Sequence, residues 1–268
     1  MYSQEIIRTL ETFDPISLQE MSAVQLMNRV DTKFIIPVKD LPSFLELSQK
    51  DYFCQDINGV RAAKYDTIYF DTKGLEMYTD HQNGRKKRLK VRKRCYTESQ
   101  LSFLEIKKKN NKGRTNKVRI RAFFEPSFNT NECPPFIESN TKYKTDDLIA
   151  QINVTFSRIT LVNKGMTERL TIDFDIQFKN LVYNTEGGVP EMCIVEIKQN
   201  GYRPSPFKTM LNTHGIKKQN ISKYCLGTVL TNPVAKYNSF KRKIMQIART
   251  VKTNIHTISN HIITNQNG

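Results

Sequence analysis

RKKRLKVRKRCYTESQLSFLEIKKKNNKGRTNKVRIR, residues 85–121, is the stretch on which the fold turns. It holds sixteen Lys or Arg against two acids, Glu98 and Glu105, and so carries +14 of the chain's net +16. The charges recur at every second position: Arg88, Lys90, Arg92 and Arg94, then Glu105, Lys107 and Lys109, then Lys117, Arg119 and Arg121. A β-strand sends alternate side chains to opposite faces. Each run therefore lays a row of charge on one side of a sheet, with YTESQ and NNKGR as the connecting turns and Gly113 supplying a turn conformation. Like charges facing each other across a ladder destabilise it, so rows this dense call for a bound polyanion.

The rest of the chain fits that demand. The net charge of +16 over 268 residues points to phosphate-rich partners or an anionic surface. A hydrophobic content of 38 % permits a core but leaves part of the interior polar. Cys54, Cys95, Cys133, Cys193 and Cys225 are scattered with no CxxC pair, so neither a zinc site nor a disulfide framework is indicated. Reduced thiols and a cytoplasmic location are expected. MYSQEIIRTLETFD has no apolar signal-peptide segment. No apolar run approaches the roughly 20 residues of a membrane helix, which predicts a soluble chain.

Helices are predicted over 14–27, with Asp14 as cap, over 42–50, in part of 205–230 and from Phe240 to Ile263. Strands are predicted at 29–36, 63–71, 86–97, 101–109, 116–125, 153–163, 167–178 and 191–199. Residues 126–148 read as a long loop with a short helix. The expected organisation is one domain over 1–235, then a basic helix and disordered tail over 236–268. The tail's apolar stripe (Ile244, Ile247, Val251, Ile255, Ile258, Ile262) predicts packing against the outside of the body. The cluster Lys241, Arg242, Lys243 offers lipid contact as the other reading.

Other strands show the same parity. In RLTIDFDIQF, Leu170, Ile172, Phe174, Ile176 and Phe178 oppose Arg169, Thr171, Asp173, Asp175 and Gln177. Val195 and Ile197 oppose Glu196 and Lys198; Val30 and Phe34 oppose Arg29, Asp31 and Lys33. One reading is a half-buried sheet with a solvated charged face. The sharper one is a closed barrel with a charged lumen and helices over its apolar outside. The carboxylates Glu105, Asp173 and Glu196 on the basic face would repel nucleic-acid phosphates, whereas a divalent cation bridging carboxylate and phosphate uses them. Aromatics for base stacking look almost absent from these faces. Phosphate chemistry with a metal is favoured over nucleic-acid binding.

The ordered set RVDTKF, YFDT followed by Tyr78 and His81, RLKVRKRCY, FLEIKKK with GRTNKVR, VTFSRITL, LTIDFD, IVEIKQ and SKYCLG resembles a known pattern. It is similar to the VTC domain, the catalytic domain of vacuolar transporter chaperone polyphosphate polymerases, in the triphosphate tunnel metalloenzyme superfamily. The resemblance runs from about Arg29 to Gly227. It implies an α+β fold, a closed antiparallel β-barrel with a basic tunnel, and transfer of the γ-phosphoryl of ATP to inorganic polyphosphate. By resemblance, Lys33, Arg92, Arg94, Lys107, Arg158 and Lys223 grip the triphosphate and the growing chain. Arg88, Lys90, Lys109, Arg114, Lys117, Arg119 and Lys198 extend the basic lining. Glu196 is the implied principal ligand of Mn²⁺ or Mg²⁺, with Glu105 and Asp173 in its surroundings.

Three departures stand out. RVDTK replaces the ExExK of the superfamily's hydrolytic branch, which fits the polymerase branch. Asn220, with Lys217 and Lys218 nearby, stands where eukaryotic members carry a second Lys. The membrane segment of those members is missing, so export of product would need a membrane protein as partner. The acceptor is a phosphate oxygen, so no Ser-His or Cys-His pair is expected, and His81, His214, His256 and His261 form none. A triphosphatase using water, a non-catalytic sensor of polyphosphate or inositol polyphosphates, and an RNA-binding module are the alternatives.

Overall fold

The computed structural model describes residues 2–22, 24, 29–201 and 203–253. It opens with α1 (Tyr2–Glu11), a helix not among those predicted, which buries Ile6 and Leu10. Then β1 (Pro15–Ile16) and α2 (Leu18–Met21) replace the single helix expected over 14–27. Ser17 caps that helix, not Asp14: its hydroxyl accepts from Glu20 N while the Glu20 carboxylate accepts from Ser17 N. Residues 23 and 25–28 lie outside the described part.

The chain continues through β2 (Arg29–Pro37), α3 (Leu41–Ser48), β3 (Tyr52–Gln55), β4 (Ala62–Asp71), α4 (Glu76–Gln82), β5 (Arg88–Tyr96), β6 (Leu101–Lys109) and β7 (Thr115–Arg121). It then runs through α5 (Cys133–Asn140), β8 (Ile149–Asn163), β9 (Glu168–Asn180), β10 (Glu186–Gly188), β11 (Met192–Asn200), α6 (Pro206–Thr213), α7 (Lys223–Thr231) and α8 (Asn238–Val251). The alternating runs are all strands. The hairpin β6–β7 closes through Gly113 in the left-handed region at φ +80°.

The principal strands pair antiparallel in the order β2-β11-β9-β8-β4-β5-β6-β7. Register sets the charged rows side by side: Lys33 opposite Glu196, Arg158 opposite Asp173, Arg92 opposite Glu105, and Glu105 opposite Arg119. The sheet curls until Lys107 on β6 senses Glu196 on β11, and Lys90 on β5 senses Lys33 on β2. The expected closure does not follow. Among the described residues β2 pairs only with β11 and β7 only with β6, leaving an open half-barrel. Joining those edges would bring Lys117, Arg119 and Arg121 toward Lys33 and Arg29, an unfavourable meeting of like charges.

The convex face carries two apolar clusters. Phe34, Ile36, Ile159, Leu161, Leu170, Ile172, Val195 and Ile197 pack under α1, α3 and α6. Ile68, Phe70, Val91, Leu104 and Ile106 pack under α4, α5 and Tyr143. Lys93 shares this outer side. It is fully buried, donating to Ser127 O at 2.6 Å and lying over the Phe128 ring.

Two sequence expectations fail on the concave face, for one reason. Asp175 sits at φ 51° in a bulge that shifts the β8–β9 register between Thr155 and Ser157. Beyond it the parity of β9 flips. Leu170, Ile172 and Phe174 stay convex, while Ile176 and Phe178 join Ile35, Val154, Ile152 and Ile194, which share the face of Lys33 and Glu196. Helices α7 and α8 pack there, inside the curl rather than outside it, burying Tyr224, Leu226, Val229, Phe240, Ile244, Ile247 and Val251. Gly227 permits the approach, since a Cβ there would stand 2.6 Å from the Phe178 ring. The left-handed Lys252 ends α8. Ile255, Ile258, Ile262 and the rest of the expected tail lie outside the described residues. All five thiols are free, and no helix among the described residues is long and apolar enough to cross a membrane.

Candidate active site

The charged end of the concave face gathers the rows that strand parity pointed to, and it ties its three carboxylates into defined ion pairs. Glu196 accepts from Lys33 and, at 3.0 Å, from Lys198. Asp173 takes a bidentate Arg158 (Nε 2.5 Å, Nη2 2.8 Å) and also Lys223. Glu105 accepts from Arg92 (Nε 2.8 Å) and from Lys117 at 3.0 Å. Burial alone would raise all three carboxyls. Lys198 and Lys33 hold Glu196 well below the usual range, Arg158 and Lys223 do so for Asp173, and Arg92, Arg94 and Lys117 for Glu105.

Cations outnumber these acids, and the surplus is ordered. Arg94 is 6 % exposed, yet its Nε finds only the Thr67 hydroxyl at 3.1 Å, with the Tyr65 and Phe156 rings beneath it. Burial, then Arg92 and Arg158, pull its pKa down to about 10. Lys107 has no carboxylate within ion-pair reach among the described residues; Arg92, burial and Arg94 press it well below a normal lysine. Lys90 donates to Ser222 Oγ at 2.7 Å and is lowered by burial, with Arg92 and Lys33 adding to it. Lys223 falls to about 8 through burial, despite Asp173. Burial raises the Tyr69 phenol, but Arg92, Arg94, Lys90 and Lys223 outweigh it and bring it to about 8. The shifts share one cause: buried cations stand close together and outnumber the three carboxylates on this face.

Helix α7 adds to the field. Ser222 caps it, Lys223 is its first residue, and its positive end meets Lys90 and Asp173. Beyond Lys90 the row continues to Arg88, which Lys243 of α8 senses, and burial, then Lys90, Arg88 and Lys243, lower His81 to about 3. Arg88 stands opposite Lys109. Arg114 is exposed in the β6–β7 hairpin, and Arg119 lies 4.4 Å over the Phe103 ring. Lys217, Lys218 and Asn220 are exposed.

Aromatic residues do share the charged face, against expectation. Tyr65 stacks on Phe156 (5.1 Å, 14°) and meets Tyr96, which meets Phe103. Arg94, Arg158 and Lys223 lie over these rings. They were missed because each stands in a strand where Tyr or Phe alternates with small or polar residues and reads as outer core. Their cross-strand partners (Tyr65 opposite Phe156 and Tyr96) mark their face only once register is known.

The three candidate metal carboxylates occupy three separate pairs, and no group of three His, Cys, Asp or Glu among the described residues could hold an ion by itself. Glu105 and Asp173 are sealed, with side chains 1 % and 4 % exposed; Glu196, at 18 %, is the one a ligand can reach. Glu196, whose oxygens also accept from Lys33 and Lys198, is therefore the carboxylate that could hold a divalent cation, with phosphate oxygens and water supplying the other ligands.

The VTC domain model matches residues 28–232. The chain belongs to the VTC domain family. Membership supports an activity on phosphate or triphosphate compounds with a divalent metal, by phosphotransfer or hydrolysis. Among solved structures, this VTC domain is similar to a candidate adenylate cyclase from Bacillus halodurans (13 % identity, 73 % of this chain and 96 % of that one, TM-score 0.46). It is also similar to a candidate adenylyl cyclase from Hippeastrum described as having a dominant triphosphatase activity (12 %, 75 % and 95 %, TM-score 0.46). A candidate adenylate cyclase from Vibrio parahaemolyticus is comparable (10 %, 74 % and 96 %, TM-score 0.44). No curated protein matches the chain.

Proposed function

We propose that this VTC domain is an ATP-dependent polyphosphate polymerase, transferring the γ-phosphoryl of ATP to the end of an inorganic polyphosphate chain or to orthophosphate. The observation that carries the reading is the surplus of inward cations, Arg94, Lys107 and Lys90, which have no carboxylate partner among the described residues and stand beside three paired carboxylates. Phosphoryl transfer needs alignment and charge neutralisation more than covalent help from the protein. In this reading Arg94 clamps non-bridging oxygens, and Arg92, whose donors Glu105 and Tyr69 engage, adds positive charge beside it. Lys33, Lys107, Arg158 and Lys223 bring positive charge from the other walls of the curl. Glu105 and Asp173, each held by two cations, keep Arg92 and Arg158 in position. The ring pair Tyr65–Phe156 offers a flat platform for a nucleobase beside Arg94 and Arg158. Glu196 would hold the Mn²⁺ or Mg²⁺ ion, whose charge favours departure of ADP.

The same cations would hold a triphosphate for attack by water, and the open side between β2 and β7 favours that second reading by admitting solvent. Purified protein incubated with ATP and Mn²⁺ separates the two: long-chain polymer on a gel supports the polymerase, orthophosphate alone the triphosphatase. Retained turnover in Arg94→Ala or Glu196→Gln would count against both. Export of a polymer would need a membrane-embedded partner.

A further inference from the structure

The concave row does not end at Arg88. A cavity of about 640 Å³ opens where β5, β6 and the β6–β7 hairpin meet α4 and the segment after α5. Its walls carry Lys87, Arg88, Lys108, Lys109, Arg114 and Lys142, with Asp80 as the lining acid. Of these cations, Lys142 is tied to Glu76 at 3.0 Å and Lys108 reaches Asn140 Oδ1 at 3.4 Å. The other four have no carboxylate within ion-pair reach among the described residues. Arg88 and Lys109 face each other across the ladder and belong to both the row and the cavity.

Length decides what such a surface is for. Successive same-face residues are about 6.7 Å apart along a strand, so Arg94, Arg92, Lys90 and Arg88 span roughly 20 Å. A triphosphate at Arg92 and Arg94 falls short of the cavity, whereas an extended chain of linked phosphates reaches it. Resting on the functional reading above, we infer that this cavity is a second, outer site for condensed phosphate. It holds the distal part of a polyphosphate chain whose reacting end lies in the curl. Lys87, Lys108 and Lys142, on the outer side, belong to this site alone. Holding the far end retains the chain between additions, so affinity rises with chain length beyond three phosphates.

The test uses the full chain with two probes, tripolyphosphate and long-chain polyphosphate, by calorimetry. Lys87→Gln/Lys108→Gln replaces accessible side chains, and its melting temperature checks the fold. The double variant should bind long-chain polyphosphate about tenfold more weakly while its tripolyphosphate affinity stays within about twofold of wild type. Unchanged long-chain affinity would overturn the outer site, as would a wild type that gains nothing from the longer chain; either result leaves the concave site standing. Preference of the wild type for single-stranded RNA of equal charge over long-chain polyphosphate, abolished by the same double variant, would also overturn it. A wild type that binds neither phosphate probe removes the functional reading and this inference with it.

Discussion

The two ends of the concave face are made from the same strands, yet one is filled with hydrocarbon and the other with charge. On β2 the side chains step from Lys33 to Ile35, on β11 from Glu196 to Ile194, and on β8 from Arg158 through Phe156 to Val154. At the apolar end α7 and α8 supply the missing half of a core. At the charged end no carboxylate among the described residues pairs with Arg94 or Lys107, and burial together with neighbouring cations lowers the pKa values of Arg94, Lys107 and Lys223. A protein keeps buried, repelling cations only where function requires them, at a cost in stability. The contrast separates the part of the face that holds the molecule together from the part that works.

The widest gap between the two ends should appear at the pairs that frame the charged one. Asp173→Asn leaves Arg158 and Lys223 buried without their counter-charge and should destabilise the fold by about 3–5 kcal/mol in urea unfolding. Added tripolyphosphate should restore much of that loss; a variant as stable as wild type would mean the pair is solvated. Arg94→Met should act in the opposite sense. Binding of tripolyphosphate should fall about a hundredfold or more, while the melting temperature holds or rises, because an uncompensated buried charge has gone. A lower melting temperature would assign Arg94 to the core instead.

At the apolar end, Gly227→Ala drives a methyl group into Phe178 and should cost about 1–3 kcal/mol of stability. Its effect on tripolyphosphate affinity should stay small until α7, with Lys223, is displaced; a loss of affinity at full stability would show that the two ends are coupled. The smallest effect is that of pH. Burial lowers Lys223 to about 8, and Arg92, Arg94, Lys90 and Lys223 lower Tyr69 to about 8 against its burial. Raising pH through that value removes one positive charge and adds one negative, so affinity should weaken, by about tenfold between about pH 7 and pH 9. Affinity that holds flat across this window would place both groups away from the ligand.

Much of the site was legible because a period of two holds along any strand without a bulge: the rows Arg88–Arg94, Glu105–Lys109 and Lys117–Arg121, with Lys33, Glu196, Lys198, Arg158 and Asp173, share a face as alternation demands. The carboxylates were legible as members of that face but not as three sealed or half-sealed ion pairs, which depend on register. Tyr65 and Phe156 were hidden because an aromatic ring reads as core until its neighbours are known. Lys87, Lys108 and Lys142 lie far apart in the chain or on the opposite parity, and only packing of α4 and the segment after α5 gathers them around one cavity.

Residue order by itself determined that this chain would build strands with a cationic face demanding an anion, since charge and alternation are local properties of the backbone. Whether the sheet closes, where its parity reverses and which helices enter the curl were settled by tertiary structure alone. A bulge at Asp175 interrupts a pattern that alternates without fault on paper, and it turns Ile176 and Phe178 inward, where α7 and α8 can bury them. Burial of apolar surface is non-local, and so the boundary between core and cavity is drawn by whichever parts of the chain arrive to cover it.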